Sequence, residues 1–282
     1  MQLAGTTTLV PDVPVPYALI GTAIDYRVRY YFEVTPCDAL VAWHGAMRLG
    51  WPPDYDTPGT DPRTGGPLEG MSINFFPSLD ETLQKLRPVR RRLAQPDEAQ
   101  LNRYCFVLAL LEQIFRRGYI EESLLLTPTP KSTVAELLAI AEGAWIDDLC
   151  QLSWAFYDTC SNVFARPFIL NPTFDGSLDV GGADADLIVD SCLIEVKTTK
   201  YPKLDSRWLY KLLGYVLLDY SDRLRIQSVA VYMARQQKVL RWSLDELMRA
   251  MMAEGGTASL DQIRADFNRV ASGTRRRPGA AG

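Results

Sequence analysis

Histidine is the scarcest informative residue in this 282-residue chain, which has only His44. Histidine is the commonest metal ligand and general base in proteins near neutral pH. A single histidine excludes multi-histidine metallohydrolases, HExxH proteases and histidine-rich zinc nucleases. His44 lies in a segment of helical character, and we expect it to have a structural role.

The cysteines exclude two further kinds of site. They are five in number, widely spaced and without a C-x-x-C pair: Cys37, Cys105, Cys150, Cys160 and Cys192. Neither a disulfide framework nor a zinc cluster fits an odd set with this spacing. We therefore expect buried thiols in a reducing cytoplasm.

Several sequence signatures are also missing. The N-terminus has no basic start followed by a long apolar stretch, so we expect no signal peptide. No run approaches the roughly 18 apolar residues of a membrane helix, and we expect no membrane partner. The chain has no Walker A loop, no G-x-G-x-x-G after a strand and no G-x-S-x-G elbow. Any catalysis must rest on carboxylates, lysines and the backbone.

The composition is that of a folded protein. The chain is 47% hydrophobic and 23% charged, which suits one large domain or two unequal ones. A net charge of −4 is not that of a bulk polyanion binder. Lys85–Arg92 and Arg275–Arg277 are local basic runs that could contact phosphates, although such runs are more often solvated surface.

Residues 1–131 are predicted to be an accessory region that is partly helical. Ala18–Val34 is rich in β-branched and aromatic residues and predicts a strand. Residues 51–80 hold many prolines and glycines and predict a long loop. Helices are predicted at 36–49, at 79–93 with a stop or kink near Pro88 and a basic cluster after it, and, from apolar spacing, at 97–117.

Residues 132–270 are predicted to form a compact α/β domain, followed by a disordered basic tail at 271–282. A helix at 132–156 begins with a capping-box pattern, Thr133-x-x-Glu136. Short β-rich runs come next, then an amphipathic helix near 206–219 and a hairpin around Gln236–Gln237. This order of elements indicates the α/β class.

Charged residues alternate with apolar ones in the stretch GGADADLIVDSCLIEVKTTK, which predicts two strands joined near Asp190. Residues two apart in a strand share a face, so Glu195 and Lys197 point the same way, as do Asp184 and Asp186. If the strands pair antiparallel, Asp186 can approach Glu195. Adjacent carboxylates repel each other, and a hard cation such as Mg²⁺ relieves that repulsion.

An acidic residue, a short hairpin and then E-x-K on an apolar strand resembles the PD-(D/E)XK nuclease superfamily. The resemblance covers roughly residues 132–242. The family's next helix often carries Q-x-x-x-Y, and here the corresponding residues are Lys211 and Tyr215, with lysine in place of glutamine. The resemblance implies a restriction-endonuclease-like mixed sheet flanked by helices.

The resemblance also implies a site. Asp186, Glu195 and the Val196 carbonyl would bind Mg²⁺, or Mn²⁺ in its place, and Lys197 would support the nucleophile or the transition state. Asp184 is the alternative to Asp186 as ligand. Lys211 and Tyr215 would contact the substrate. A further acid from the preceding helix is sought among Glu142, Asp147 and Asp148.

The expected function is a Mg²⁺-dependent nuclease that hydrolyses DNA. Two alternatives remain open. One is an RNA nuclease, since the same chemistry cuts either backbone. The other is a non-catalytic nucleic-acid-binding or scaffold protein that keeps the fold.

Overall fold

The computed structural model describes residues 7–11, 13–49, 59–60, 67–68, 71–117, 123–126, 133–251 and 258–275. The chain divides into two compact units. We call Leu9–Phe164 the helical unit, and Ala165–Gly282 together with Met1–Thr8 the sheet unit. The boundary predicted near residue 132 differs from this division, because the helices that follow residue 132 pack on other helices of the helical unit.

The described part of the helical unit is built on helices. They are α1 (Tyr17–Phe32), α2 (Val41–Arg48), α3 (Met71–Leu86), α4 (Gln95–Arg117), α5 (Val134–Leu138) and α6 (Gly143–Cys160). Two short strands, β1 (Gly59–Thr60) and β2 (Pro67–Leu68), pair antiparallel. Helix α4 is the central element, since α1, α2 and α6 all pack on it.

Helix α1 corrects the strand predicted at Ala18–Val34. The β-branched and aromatic composition favours a strand locally. However, every residue from Tyr26 to Phe32 is buried, so the second half of α1 is enclosed on all of its sides rather than along one face. Packing on α4 therefore overrides the local preference.

Helix α3 is a second correction, because it begins at Met71 inside the predicted loop of residues 51–80. Pro77 lies inside this helix and was one of the signals for the loop. Buried Phe75, Phe76 and Leu79 are apolar contacts that outweigh the backbone hydrogen bond lost at the proline. Apart from β1 and β2, residues 51–70 lie outside the described residues.

The other helices of this unit follow the sequence pattern closely. Helix α4 confirms the prediction for 97–117. The helix predicted at 132–156 is divided into α5 and α6. The Thr133 capping box is confirmed, with the Glu136 N–H donating to Thr133 Oγ1 and the Thr133 N–H donating to Glu136 Oε2.

The sheet unit combines strands with helices. Its strands are β3 (Phe168–Leu170), β4 (Leu187–Val189), β5 (Cys192–Lys197), β6 (Ser228–Met233) and β7 (Lys238–Ser243). Its helices are α7 (Ser206–Leu218), α8 (Leu244–Met251) and α9 (Leu260–Arg275). Helix α9 extends into the tail predicted to be disordered, and residues 276–282 lie outside the described residues.

These five strands form one open mixed sheet in the order β3-β4-β5-β6-β7. Strands β3, β4 and β5 pair antiparallel, β5 and β6 pair parallel, and β6 and β7 form an antiparallel hairpin. Helix α7 supplies the crossover that a parallel pair requires. The predicted α/β class, the β4–β5 pair and the hairpin at Gln236–Gln237 are confirmed.

Helix α7 packs on one face of this sheet and thereby builds one wall of the candidate site. Leu212 and Val216 of α7 share a core with Leu193 of β5 and Val229 of β6. Asp205 is the N-cap residue just before the helix, and its carboxylate accepts from the Arg207 N–H. The strand and the helix that carry the candidate residues are therefore held together by apolar contacts.

The cysteines are all buried free thiols, as expected. Among the described residues, no helix combines the length and the apolar character needed to cross a membrane.

Candidate active site

The register of β4 and β5 brings Asp186 opposite Glu195. Leu187 pairs with Ile194, so the next residues outward along this antiparallel pair are Asp186 and Glu195. Glu195 lies two residues from Leu193, which packs under α7, and it therefore points to the same face of the sheet. Asp186 points to that face too, since it lies two residues before Ile188 of the same core.

Glu195 is a buried carboxylate, 1% exposed, whose two oxygens have different surroundings. Oε1 accepts from the ammonium groups of both Lys197 and Lys211, the latter at 2.6 Å. Oε2 is buried and has no hydrogen-bond partner among the residues that the structure describes. A buried charged oxygen without a partner is costly, so Oε2 marks a position where a cation would be favourable.

The Asp186 carboxylate reaches the backbone of β5, where the Val196 N–H donates to Oδ2 at 2.6 Å. Burial, and next the negative charge of Glu195, raise the pKa of the Asp186 carboxyl to about 6. A strand residue directs its N–H and its C=O to the same neighbouring strand in an antiparallel pair. The Val196 carbonyl therefore faces the side on which Asp186 lies.

Helix α7 contributes Lys211 and Tyr215, four residues apart on one helix face. Although burial opposes its charge, the neighbouring Glu195 carboxylate raises the pKa of the Lys211 ammonium above its ordinary value. The Tyr215 hydroxyl donates to the Asp184 carbonyl at 2.7 Å, and its ring stacks on Phe174. Burial raises the pKa of Tyr215 to about 12.

Asp184 and Asp186 are distinguished by this geometry. Asp184 forms a bridge with Thr173, and its carbonyl accepts from Tyr215. Asp186, in contrast, lies opposite Glu195, and its carboxylate accepts a hydrogen bond from the Val196 N–H of β5. The arrangement favours Asp186 as the carboxylate that acts together with Glu195.

The three acids proposed from the preceding helix belong to the helical unit. Glu142 is the N-terminal flanking residue of α6, while Asp147 and Asp148 lie within it. Asp147 is exposed and Asp148 is buried. Within the sheet unit, the candidate site is formed without them.

The donors present suit a hard divalent cation. In the described ranges, no three His, Cys, Asp or Glu side chains gather as metal ligands. Mg²⁺ does not need such a cluster, since it is usually held by one or two carboxylates and keeps several waters. Asp186, the unpartnered Oε2 of Glu195 and the Val196 carbonyl are oxygen donors of that kind.

Two residues of the turn between β6 and β7 support the candidate site, and the sequence did not identify them in that role. The buried Arg235 guanidinium donates from Nε to the Thr198 carbonyl at 2.7 Å, and the Gln236 amide donates to the Thr199 carbonyl at 3.2 Å. They therefore fix the chain just after Lys197. The only sequence signal is a polar pair at the end of an apolar strand, and that is typical of most hairpin turns.

Comparison with known proteins adds no relative: no protein-family model, curated protein or solved structure matches this chain. The chemistry of the site must therefore be argued from its own residues.

Proposed function

We propose that the sheet unit is a metal-dependent nuclease of the PD-(D/E)XK type that hydrolyses phosphodiester bonds of DNA. The observation that carries this proposal is the pair Asp186 and Glu195 on one face of the sheet, with a buried Glu195 oxygen that has no hydrogen-bond partner in the described part of the chain. Lys197 lies beside this pair and contacts Glu195. Two carboxylates and one lysine are the groups that the family motif requires.

The topology supports the same proposal. An antiparallel β4–β5 pair is followed by a crossover helix and a parallel strand in a mixed sheet. The candidate residues lie where β4 begins and β5 ends, at one edge of the helix-covered face. We propose that this is a restriction-endonuclease-like core.

Each group has a definable role in hydrolysis. Asp186, Glu195 and the Val196 carbonyl would hold Mg²⁺ or Mn²⁺, which supplies charge neutralisation and a more acidic attacking water. The Lys197 ammonium would meet the negative charge that develops on the phosphoryl oxygens. Lys211 and Tyr215 would position the strand beside these groups, with Lys211 near a backbone phosphate.

One observation favours a second candidate function, a non-catalytic nucleic-acid-binding or scaffold protein. Glu195 Oε1 already has two ammonium partners, Lys197 and Lys211. Lys211 replaces the glutamine of the family pattern. Its positive charge offsets part of the negative charge of Glu195 that a metal ion would otherwise neutralise. A scaffold that has lost catalysis would show the same ion pairs.

Cleavage assays separate the two functions. Purified protein is incubated with linear duplex DNA, circular DNA, single-stranded DNA and RNA, each with Mg²⁺, Mn²⁺ or EDTA. We expect cleavage with a divalent cation and none with EDTA, and we expect Glu195→Gln to be inactive while its circular dichroism spectrum is unchanged. A wild-type protein that cleaves none of these substrates with either cation would contradict the nuclease function and favour the scaffold function. Cleavage of RNA but not DNA would show that the substrate is RNA instead of the proposed DNA.

A further inference from the structure

A cleft of about 770 Å³ opens between the chain that follows β5 and the first turn of α7. Its wall includes Thr199, Tyr201 and Lys203 from the connecting loop, and Arg207 and Trp208 from the helix. The loop begins directly after Lys197, and α7 carries Lys211. The chain segment that forms the cleft is therefore flanked by two residues of the candidate active site, Lys197 before it and Lys211 after it.

The charge of this segment is opposite to that of the whole chain. Five cations and one acid lie from Lys197 to Lys211, and even with the Glu195 carboxylate that Lys197 and Lys211 contact the excess is three positive charges, whereas the chain carries a net charge of −4. The single acid, Asp205, caps α7 and binds the Arg207 guanidinium. Lys203 is exposed on the cleft wall. A local excess of positive charge in a mildly acidic molecule favours a polyanion at this place.

Two tyrosines give the segment a second property. Tyr201 is 66% exposed and Tyr210 is 62% exposed, and within the described residues no other phenylalanine, tyrosine or tryptophan side chain is exposed. Tyr210 lies three residues after Arg207, so both share one face of α7. Open aromatic rings interleaved with cations are the groups on which successive unpaired bases stack.

The cleft wall is held in place from beneath. Arg235 and Gln236 bind the Thr198 and Thr199 carbonyls, and Asp205 caps the helix that forms the other wall. Leu204 is buried between the exposed positions and anchors the loop in the core. A wall anchored in this way is preorganised, which lowers the entropy lost when a ligand binds.

We propose that this cleft binds single-stranded nucleic acid, with one base stacked on Tyr201 and phosphates on Lys203 and Arg207 of its wall, and with the next base on Tyr210, which lies outside the wall and one turn along α7 from Arg207. The bases of a duplex are already stacked within it and do not reach such rings. The inference rests on the proposed nuclease function and deepens it. The substrate class is then a single strand, or the single-stranded part of a branched duplex, led past Lys197.

Binding in EDTA tests the cleft without any cleavage. Fluorescence anisotropy is measured with oligo(dT), oligo(U) and a blunt duplex, each about 12 nucleotides long. Wild type should bind a single strand more tightly than the duplex, and the two homopolymers distinguish DNA from RNA. Tyr201→Ala and Tyr210→Ala should each weaken single-strand binding by about 5- to 150-fold, the loss expected for one stacked base.

Three further variants separate stacking, charge and general effects. Tyr201→Phe keeps the ring and should retain most of the affinity. Lys203→Ala should reduce the slope of log affinity against log salt by about 0.7, the value for one phosphate contact on a single strand. Arg249→Ala removes an exposed cation from α8 of the same unit and should leave both affinity and slope unchanged.

Three results would overturn the inference: equal or tighter binding of the duplex, no loss of affinity in either tyrosine variant, or no binding of any strand. Its failure can be told apart from failure of the proposed function. A protein that cleaves DNA with Mg²⁺ but binds normally after both tyrosine substitutions keeps its nuclease function and loses the cleft. A protein that binds strands through the tyrosines but cleaves nothing keeps the cleft and loses the nuclease function.

Discussion

At the scale of the residue, Glu195 is the group on which the site depends. Its carboxylate is almost fully buried, and two ammonium groups approach the same oxygen, while the other oxygen has no hydrogen-bond partner within the described ranges. The lysines therefore compensate the charge unevenly. The two have different surroundings: Lys197 lies in the same strand as Glu195, while Lys211 reaches it from α7 and is about half exposed.

This difference leads to a prediction about Lys197. Lys197→Ala should lower the rate of cleavage by about 100- to 1000-fold, because it removes one group that stabilises charge in the transition state. Affinity for nucleic acid should stay near that of wild type, since such a group acts mainly after binding. Single-turnover kinetics, together with anisotropy in EDTA, measure the two quantities separately.

Lys211→Ala is the matched comparison, because it removes the other ammonium from the same oxygen. If Lys211 contacts a phosphate, this variant should weaken binding, and most strongly at low salt. Equal losses of rate and affinity in the two variants would contradict separate roles for the two lysines.

At the scale of the element, helices α1 and α4 are joined by a buried ion pair. Arg27 donates from Nε and Nη2 to the two oxygens of Glu98, and both side chains are 0% exposed. The Arg27 guanidinium also lies over the Tyr31 ring, with its carbon 3.6 Å from the ring centroid. Asn102 of α4 donates to the same carboxylate. Because both side chains are shielded from water, the stability of each buried charge depends on its partner.

We predict that Arg27→Met lowers the free energy of unfolding by about 3–5 kcal/mol, the cost of leaving one buried charge unpaired. The double variant Arg27→Met/Glu98→Leu should recover most of that loss, because no charge then remains buried. Urea denaturation followed by circular dichroism gives both values. A double variant as unstable as the single one would show that the pair itself, rather than the unpaired charge, carries the stability.

At the scale of the whole molecule, the two compact units are predicted to differ in their response to a metal. A ligand that binds only the native state stabilises it by about 2.7 kcal/mol at one hundred times its dissociation constant. The candidate ligands lie in the sheet unit. Mg²⁺ should therefore slow hydrogen exchange in β5 and β6 and leave the Arg27 region of α1 unchanged.

Hydrogen exchange followed by mass spectrometry shows which elements Mg²⁺ protects. A single melting temperature would not separate the responses of the two units. Glu195→Gln should abolish the protection by Mg²⁺, while Arg27→Met should preserve it. Protection by Mg²⁺ that persists in Glu195→Gln would place the metal elsewhere.

Local signals in the sequence were sufficient for much of the sheet unit and for one helix start in the helical unit. Strand β5, helix α7 and the Thr133 capping box were all predicted, because side-chain period and capping depend on residues close together in the chain. The residues expected to face one another on β4 and β5 follow from the two-residue period of a strand and the turn at Asp190. That much of the candidate site could be predicted from the sequence alone.

The remainder was decided by tertiary structure. Helix α1 has a composition that favours a strand, and its burial against α4 and α6 accounts for its being helical. The contact of Lys211 with Glu195, the unpartnered Oε2 and the hold of Arg235 on Thr198 join residues far apart in sequence. No local pattern encodes such contacts, because they exist only once sheet register and helix packing have brought distant segments of chain together. The sequence by itself determined the chemical groups and their faces, and the tertiary structure decided which of them meet.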